Sequence, residues 1–140
     1  MSDENLWGEL PVSEVKRTPV QILKEQASLL TQMTRSVLVG FVGQMESAGD
    51  LRYALDIRAP ALNNYTARIV LVIHPITLYP LSLVVPSGGT QTCQNEAAFV
   101  EALKARLQSE SVRKLVAALL VQSDAAKGTS GPPQDGNIRA

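Results

Sequence analysis

Two residues carry side chains suited to nucleophilic or general-base chemistry near neutral pH, His74 and Cys93, and each is the only one of its kind in the chain. A histidine base needs a nucleophile to deprotonate and an acid to orient it, and no sequence signal near His74 supplies either. Beside Pro75 it reads as a solvated turn histidine. Cys93 stands just before a helix start, where the positive end of the dipole would lower a thiol pKa. With His74 as its sole available base, a cysteine hydrolase requires two long-range coincidences, so the plainer reading is a small residue packed near a helix start. Ser87-Gly88-Gly89-Thr90 has the backbone freedom to cradle an anion but lacks the lysine of a nucleotide-binding loop, and it reads as a connector. The carboxylates Glu46, Asp50 and Asp56 gather about one hairpin without the spacing of a cation-binding loop. No catalytic residue, cofactor-binding residue or metal ligand is therefore expected, and no cofactor.

The rest of the composition sets the class of molecule. In 140 residues, 45% hydrophobic and 19% charged, there is material for one core and too little charge for a disordered chain. Lys plus Arg number 13 and Asp plus Glu 13, so the surplus of cations that replaces counterions on nucleic acid is missing. A lone cysteine forms no intrachain disulfide and fits a reducing compartment. Ser2, Asp3, Glu4 and Asn5 provide no basic flank of a secretory signal, and apolar runs such as Leu115–Val121 fall far short of the ~20 residues that span a bilayer. The expectation is a soluble cytoplasmic domain that binds neither nucleic acid nor membrane.

Periodicity divides the chain into an arm (1–17), a single domain (18–123) and a disordered tail (124–140) rich in Gly and Pro. Thr18-Pro19 with Gln21 forms a capping box, and Val20, Leu23, Ala27 and Leu30 continue at helical spacing. The period then becomes two. Val37, Val39, Phe41 and Met45, then Leu51, Tyr53, Leu55, Ile57 and Ala59, alternate about a turn at 46–50. This predicts a hairpin with Met45 opposite Leu51, Phe41 opposite Leu55 and Gly43 opposite Tyr53. Tyr65, Ala67, Ile69, Leu71 and Ile73 continue the odd-numbered face on a third strand that sets Asp56 across from Arg68. A fourth strand, Leu78–Val85, contains Pro80 and so belongs at a sheet edge. After the connector, Asn95 caps a helix through Phe99, Leu103 and Leu107, and Ser109 or Ser111 opens another through Val112, Leu115, Val116, Leu119 and Leu120. The fold class expected is α+β: a four-stranded antiparallel meander with one N-terminal helix and two C-terminal helices packed on it.

That order, with Ile69–Val85 and Tyr79-Pro80 at the third-to-fourth strand junction, resembles ubiquitin-conjugating-enzyme-like and RWD domains. Cys93 lacks the His-Pro-Asn surroundings that conjugating enzymes show, so the resemblance implies a fold and no transfer chemistry.

The even-numbered face carries Leu38, Val42, Ala54, Val70, Val72, Leu78 and Val84, too apolar to stand in water. Either a helix covers it, giving three layers, or it is a dimer or partner surface rimmed by arginines. On the second reading the partner-binding residues are Val42, Arg52, Ala54, Arg58, Arg68, Val70 and Val72. The function expected is a non-catalytic interaction module, an adaptor or an accessory or neutralising subunit, whose partner is a protein or a second copy of the chain. The alternatives are a small enzyme using Cys93 or His74, and a ligand-binding domain with a pocket between helices and sheet.

Overall fold

Thr18 accepts the Gln21 backbone N–H, and the Gln21 side chain accepts the Thr18 N–H in return, so the first helix starts where the capping box places it. A computed structural model describes residues 4–10 and 17–129. The helix, α1, spans Pro19–Met33. The strands β1 (Val39–Met45), β2 (Leu51–Ala59), β3 (Tyr65–His74), β4 (Leu81–Val84) and β5 (Thr90–Cys93) follow, with a 3-10 turn at Pro60–Leu62 between β2 and β3. The helices α2 (Glu96–Leu107) and α3 (Glu110–Thr129) close the order. The fold is α+β, and its antiparallel sheet runs β1-β2-β3-β4-β5.

The fifth strand was not expected. Gly88 and Gly89 adopt φ of 105° and 128°, a region closed to most side chains, and this turns the supposed connector into a hairpin. The hairpin pairs Leu81 with Cys93 and Val84 with Thr90, so β4 is an interior strand and not an edge. Pro80 is no obstacle because it lies before the strand begins. At the other end of the domain, α3 continues to Thr129, which makes 124–129 helical; the remainder of the expected tail and most of the expected arm lie outside the described residues.

Strand phase decides which side chains meet the helices, and here the alternation expected from Val37 to Val85 fails in two places, all of β1 and the second half of β3, with Leu81 and Leu83 of β4 back on the helix side. In the first hairpin the register is Met45 with Arg52, Gly43 with Ala54, Phe41 with Asp56 and Val39 with Arg58, one residue from the predicted pairing. A one-residue slip sends every side chain of a strand to the opposite face. The cause is α1: a Cβ on Gly40 would stand 2.5 Å from the Ala27 carbonyl oxygen and 2.8 Å from its Cα, so only glycine allows the helix this close. Gly40 and its even neighbours must face α1, which leaves Phe41 on the far side.

The second break is in β3. Asp56 pairs with Arg68 and Leu55 with Val70, so Ile69 is the extra residue of a bulge. Ile69 and Val70 both pack inward, after which the even residues Val72 and His74 face the helices while Leu71 and Ile73 face away. Phe41, Leu55, Ile69 and Leu83 are therefore divided between the two faces.

Leu55, Ile57, Val70, Val72, Leu81, Leu83 and Cys93 form one core with Ile22, Leu23 and Ala27 of α1, Phe99 and Leu103 of α2, and Val112 and Leu119 of α3. The three helices of the described residues thus share one side of the sheet, and those residues form two layers.

Candidate functional site

With the helices on one side, the other face of the sheet has no cover among the described residues. Following the register from strand to strand, it carries Val39, Phe41 and Met45 of β1, Ala54 and Asp56 of β2, Leu71 and Ile73 of β3, and Val84 of β4. None of Val39, Phe41, Leu71, Ile73 or Val84 belongs to the helix-side core. The sequence reading was right that the second face is apolar and wrong about several of the residues that make it so.

Of the predicted partner-binding residues, Arg52, Ala54, Arg58 and Arg68 lie on this open face. Val42, Val70 and Val72 do not: they point to the helices, and Val70 and Val72 are wholly buried there. The reason is the pair of phase changes at Gly40 and Ile69. Neither change is written in the sequence locally: Gly40 acts through its contact with Ala27 of α1, and Ile69–Ile73 is an unbroken apolar run in which no alternation can be read.

Charge on this face is organised around two carboxylates. Arg68 Nε stands 3.1 Å from Asp56 Oδ1, the cross-strand pair anticipated from the sequence, and Asp56 is nearly buried. The Arg68 guanidinium reaches on to within 3.9 Å of the Met45 sulfur, so the side chain spans from β3 across β2 to β1. Asp50 accepts from the Ser47 hydroxyl and, at 3.1 Å, from Arg52 Nε. Those bonds, the Ser47 bond foremost, hold the Asp50 carboxyl below its ordinary pKa. Arg58 differs: its guanidinium sits 4.9 Å above the centre of the Phe41 ring and has no carboxylate partner among the described residues.

Between Phe41 and Met45 the chain is bare. A Cβ built on Gly43 meets no atom within 4 Å, so the glycine opens a shallow hollow in the middle of β1. Phe41, Leu71 and Ile73 are already half-buried by their neighbours. Covering the rest would therefore contribute well under the ~1.5–3 kcal/mol of a full burial for each, and affinity at this face would come from several such contacts together.

The residues singled out for chemistry do not converge into a site. His74 is not solvated: it is 3% exposed, packed with its ring 5.9 Å from that of Tyr53, and its Nδ1 lies 2.8 Å from the Pro75 carbonyl. The β3 bulge sets its parity and turns it inward. Cys93 is fully buried, and burial pushes its thiol pKa up, the reverse of activation at a helix start. No grouping of His, Cys, Asp and Glu able to hold a metal ion occurs among the described residues. Among them, no helix is long and apolar enough to cross a membrane.

On the helix side, a cleft of about 230 Å³ opens between α1 and α3 over Leu55, Ile57 and Ile69, with Leu30, Met33 and Val116 on its walls. It is smaller than the ~300–1,000 Å³ of pockets that enclose a small-molecule ligand. Beyond the domain, the described part of the arm leaves Leu6, Trp7 and Leu10 in solvent, with Asn5 bracketing the turn by bonds to Trp7 N–H and the Gly8 carbonyl.

No family model matches this chain, and comparison with curated proteins and with solved structures gives no match either.

Proposed function

We propose that this chain is a non-catalytic protein-interaction module, an adaptor or accessory subunit, that binds through the open face of its sheet. The observation carrying the reading is the placement of Val39, Phe41, Leu71, Ile73 and Val84 together on a face with no helix over it, while all three helices serve the other side. Half-buried apolar groups on a face with no helix over it, rimmed by arginines, suit an interaction surface. The partner that fits is a protein surface with apolar side chains for Phe41, Leu71 and Ile73. A carboxylate placed toward Arg58 would complete it, because Arg52 and Arg68 already have Asp50 and Asp56.

The test is a pair of charge substitutions, Phe41→Asp and Ile73→Lys, read by binding and by circular dichroism together. Neither residue belongs to the helix-side core, so the fold should persist while association with the native partner is lost. Binding that survives both changes in a folded protein would defeat the reading. The helix surface of α2, where Glu101 and Lys104 are exposed, would then be the next place to look.

A further inference from the structure

The two edges of the sheet are finished differently. β5 is short, and Thr90, Gln91 and Thr92 are exposed polar residues, an edge of the blunted kind that proteins use against strand addition. β1 is longer, and Val39–Met45 contains neither proline nor any charge. In an antiparallel ladder alternate residues turn both N–H and C=O away from their partner strand. On β1 those outward residues are Gly40, Val42 and Gln44, because Gly40 gives its N–H to the Thr31 hydroxyl at 2.9 Å instead of to β2. One step earlier the Thr34 hydroxyl accepts from Leu38 N–H at 3.1 Å and lies 3.0 Å from the Leu38 carbonyl. The last turns of α1 therefore cap the outer side of the strand as far as Gly40. Val42 and Gln44 are left with outward backbone groups that have no partner among the described residues.

Backbone donors and acceptors in this arrangement are complementary to an extended strand, and the positions left open specify which one. They lie symmetrically about Gly43. We infer that β1 pairs antiparallel with β1 of a second copy of this chain about a two-fold axis at Gly43, joining two sheets into one. In that register Val42 of each copy faces Gln44 of the other, and each pair exchanges both N–H···O bonds. The capped residues Leu38 and Gly40 fall outside the ladder. Gly43 meets Gly43 in the closely spaced kind of pair, where the empty space around its missing Cβ removes any clash. On the open face the same register brings Phe41 of one copy beside Met45 of the other, a sulfur–aromatic contact that covers an exposed methionine. Equal and opposite ends make the contact self-complementary, as a two-fold interface requires.

The pairing goes beyond the open-face reading and adds an edge to it, and either can fail while the other stands. A disulfide tests the edge. Cα atoms in the closely spaced pair are about 4.5 Å apart, within the ~4.4–6.8 Å that a disulfide bridges. Cys93 is buried, so Gly43→Cys introduces the one accessible thiol. Under oxidised glutathione, the full-length Gly43→Cys chain is expected to form covalent dimer roughly tenfold or more faster than a Glu101→Cys control on the outside of α2, because pairing raises the effective thiol concentration. Adding Gln44→Pro removes an outward N–H and no bond to β2, a change that edge strands tolerate, so circular dichroism should stay unchanged and the rate should fall to that of the control. A Gly43→Cys rate no greater than the control, or one that Gln44→Pro leaves untouched, overturns the pairing. If Ile73→Lys still abolishes binding of another protein in that case, the open-face reading stands without it.

Discussion

Substituting Gly40 by alanine adds a single methyl group at the point where the two layers come closest. The new Cβ would lie 2.5 Å from the Ala27 oxygen, 2.8 Å from its Cα and 3.0 Å from its carbonyl carbon, all backbone atoms of a helix that cannot rotate out of the way. Relief requires α1 to lift off the sheet near its middle, loosening Ile22, Leu23 and Ala27 from Leu55 and Ile57. Overpacking of this kind costs about 1–3 kcal/mol. The smaller chain entropy of alanine in the unfolded state offsets roughly 0.4–1 kcal/mol of it. The expected net loss is about 1–2 kcal/mol, a fall of several degrees in Tm at roughly 3–5 °C per kcal/mol for a domain of this size. Gly43, three residues along the same strand and so facing the opposite way, is the internal control: its added methyl touches nothing, so Gly43→Ala should be neutral or stabilising by up to about 1 kcal/mol. Equilibrium urea unfolding of both variants, followed by circular dichroism, measures the difference. Equal stability of Gly40→Ala and the unaltered chain, or equal damage from the two substitutions, would mean that α1 does not rest on Gly40 and that the two faces are wrongly assigned.

Three further outcomes follow from individual side chains. Trp7, the only tryptophan, is 82% exposed, so its fluorescence should resemble that of the urea-unfolded chain and be quenched by acrylamide almost as readily. Cys93 should resist iodoacetamide in the folded protein and react only on unfolding; because burial raises its pKa, stability should fall as pH climbs past the range of a free thiol, and Cys93→Ala should flatten that alkaline limb. Asp50 runs the other way: its pKa is depressed when folded, so its contribution is present above the unfolded carboxylate value and is lost as pH falls through the folded one. Asp50→Asn should make acid unfolding less steep.

The sequence made local features legible and long-range phase illegible. The capping box at Thr18, the Asn95 cap that receives Ala98 N–H, and the apolar spacing of α3 each depend on a few neighbouring residues, and each helix starts where those residues say. The cross-strand pair of Asp56 with Arg68 was readable for the same reason, because the Pro60–Asn64 turn fixes the register beside it. Beyond that pair the bulge intervenes. Ile69-Val70-Leu71-Val72-Ile73 is apolar at every position, so nothing in it records that one residue is unpaired. Val37-Leu38-Val39 is equally silent about which parity faces inward. What decides it is Gly40 under Ala27, a contact between two elements. β5, Thr90-Gln91-Thr92-Cys93, has no apolar alternation to betray it, and its existence rests on the two glycines that turn the chain back. The same limits explain the candidate site: the arginines of the open face were found because charge seldom points into a core, whereas Phe41, Leu71 and Ile73 were assigned to the wrong side by one lost residue of phase.

Site-specific photo-crosslinking in the native cell tests the central claim most directly. A benzophenone amino acid placed at Ile73, on the open face, should yield a discrete crosslinked protein adduct, while the same group at Glu101 or Lys114 on the helices should yield none. Adducts from the helix positions with none from Ile73 would contradict the account and move the binding surface to the opposite side of the molecule.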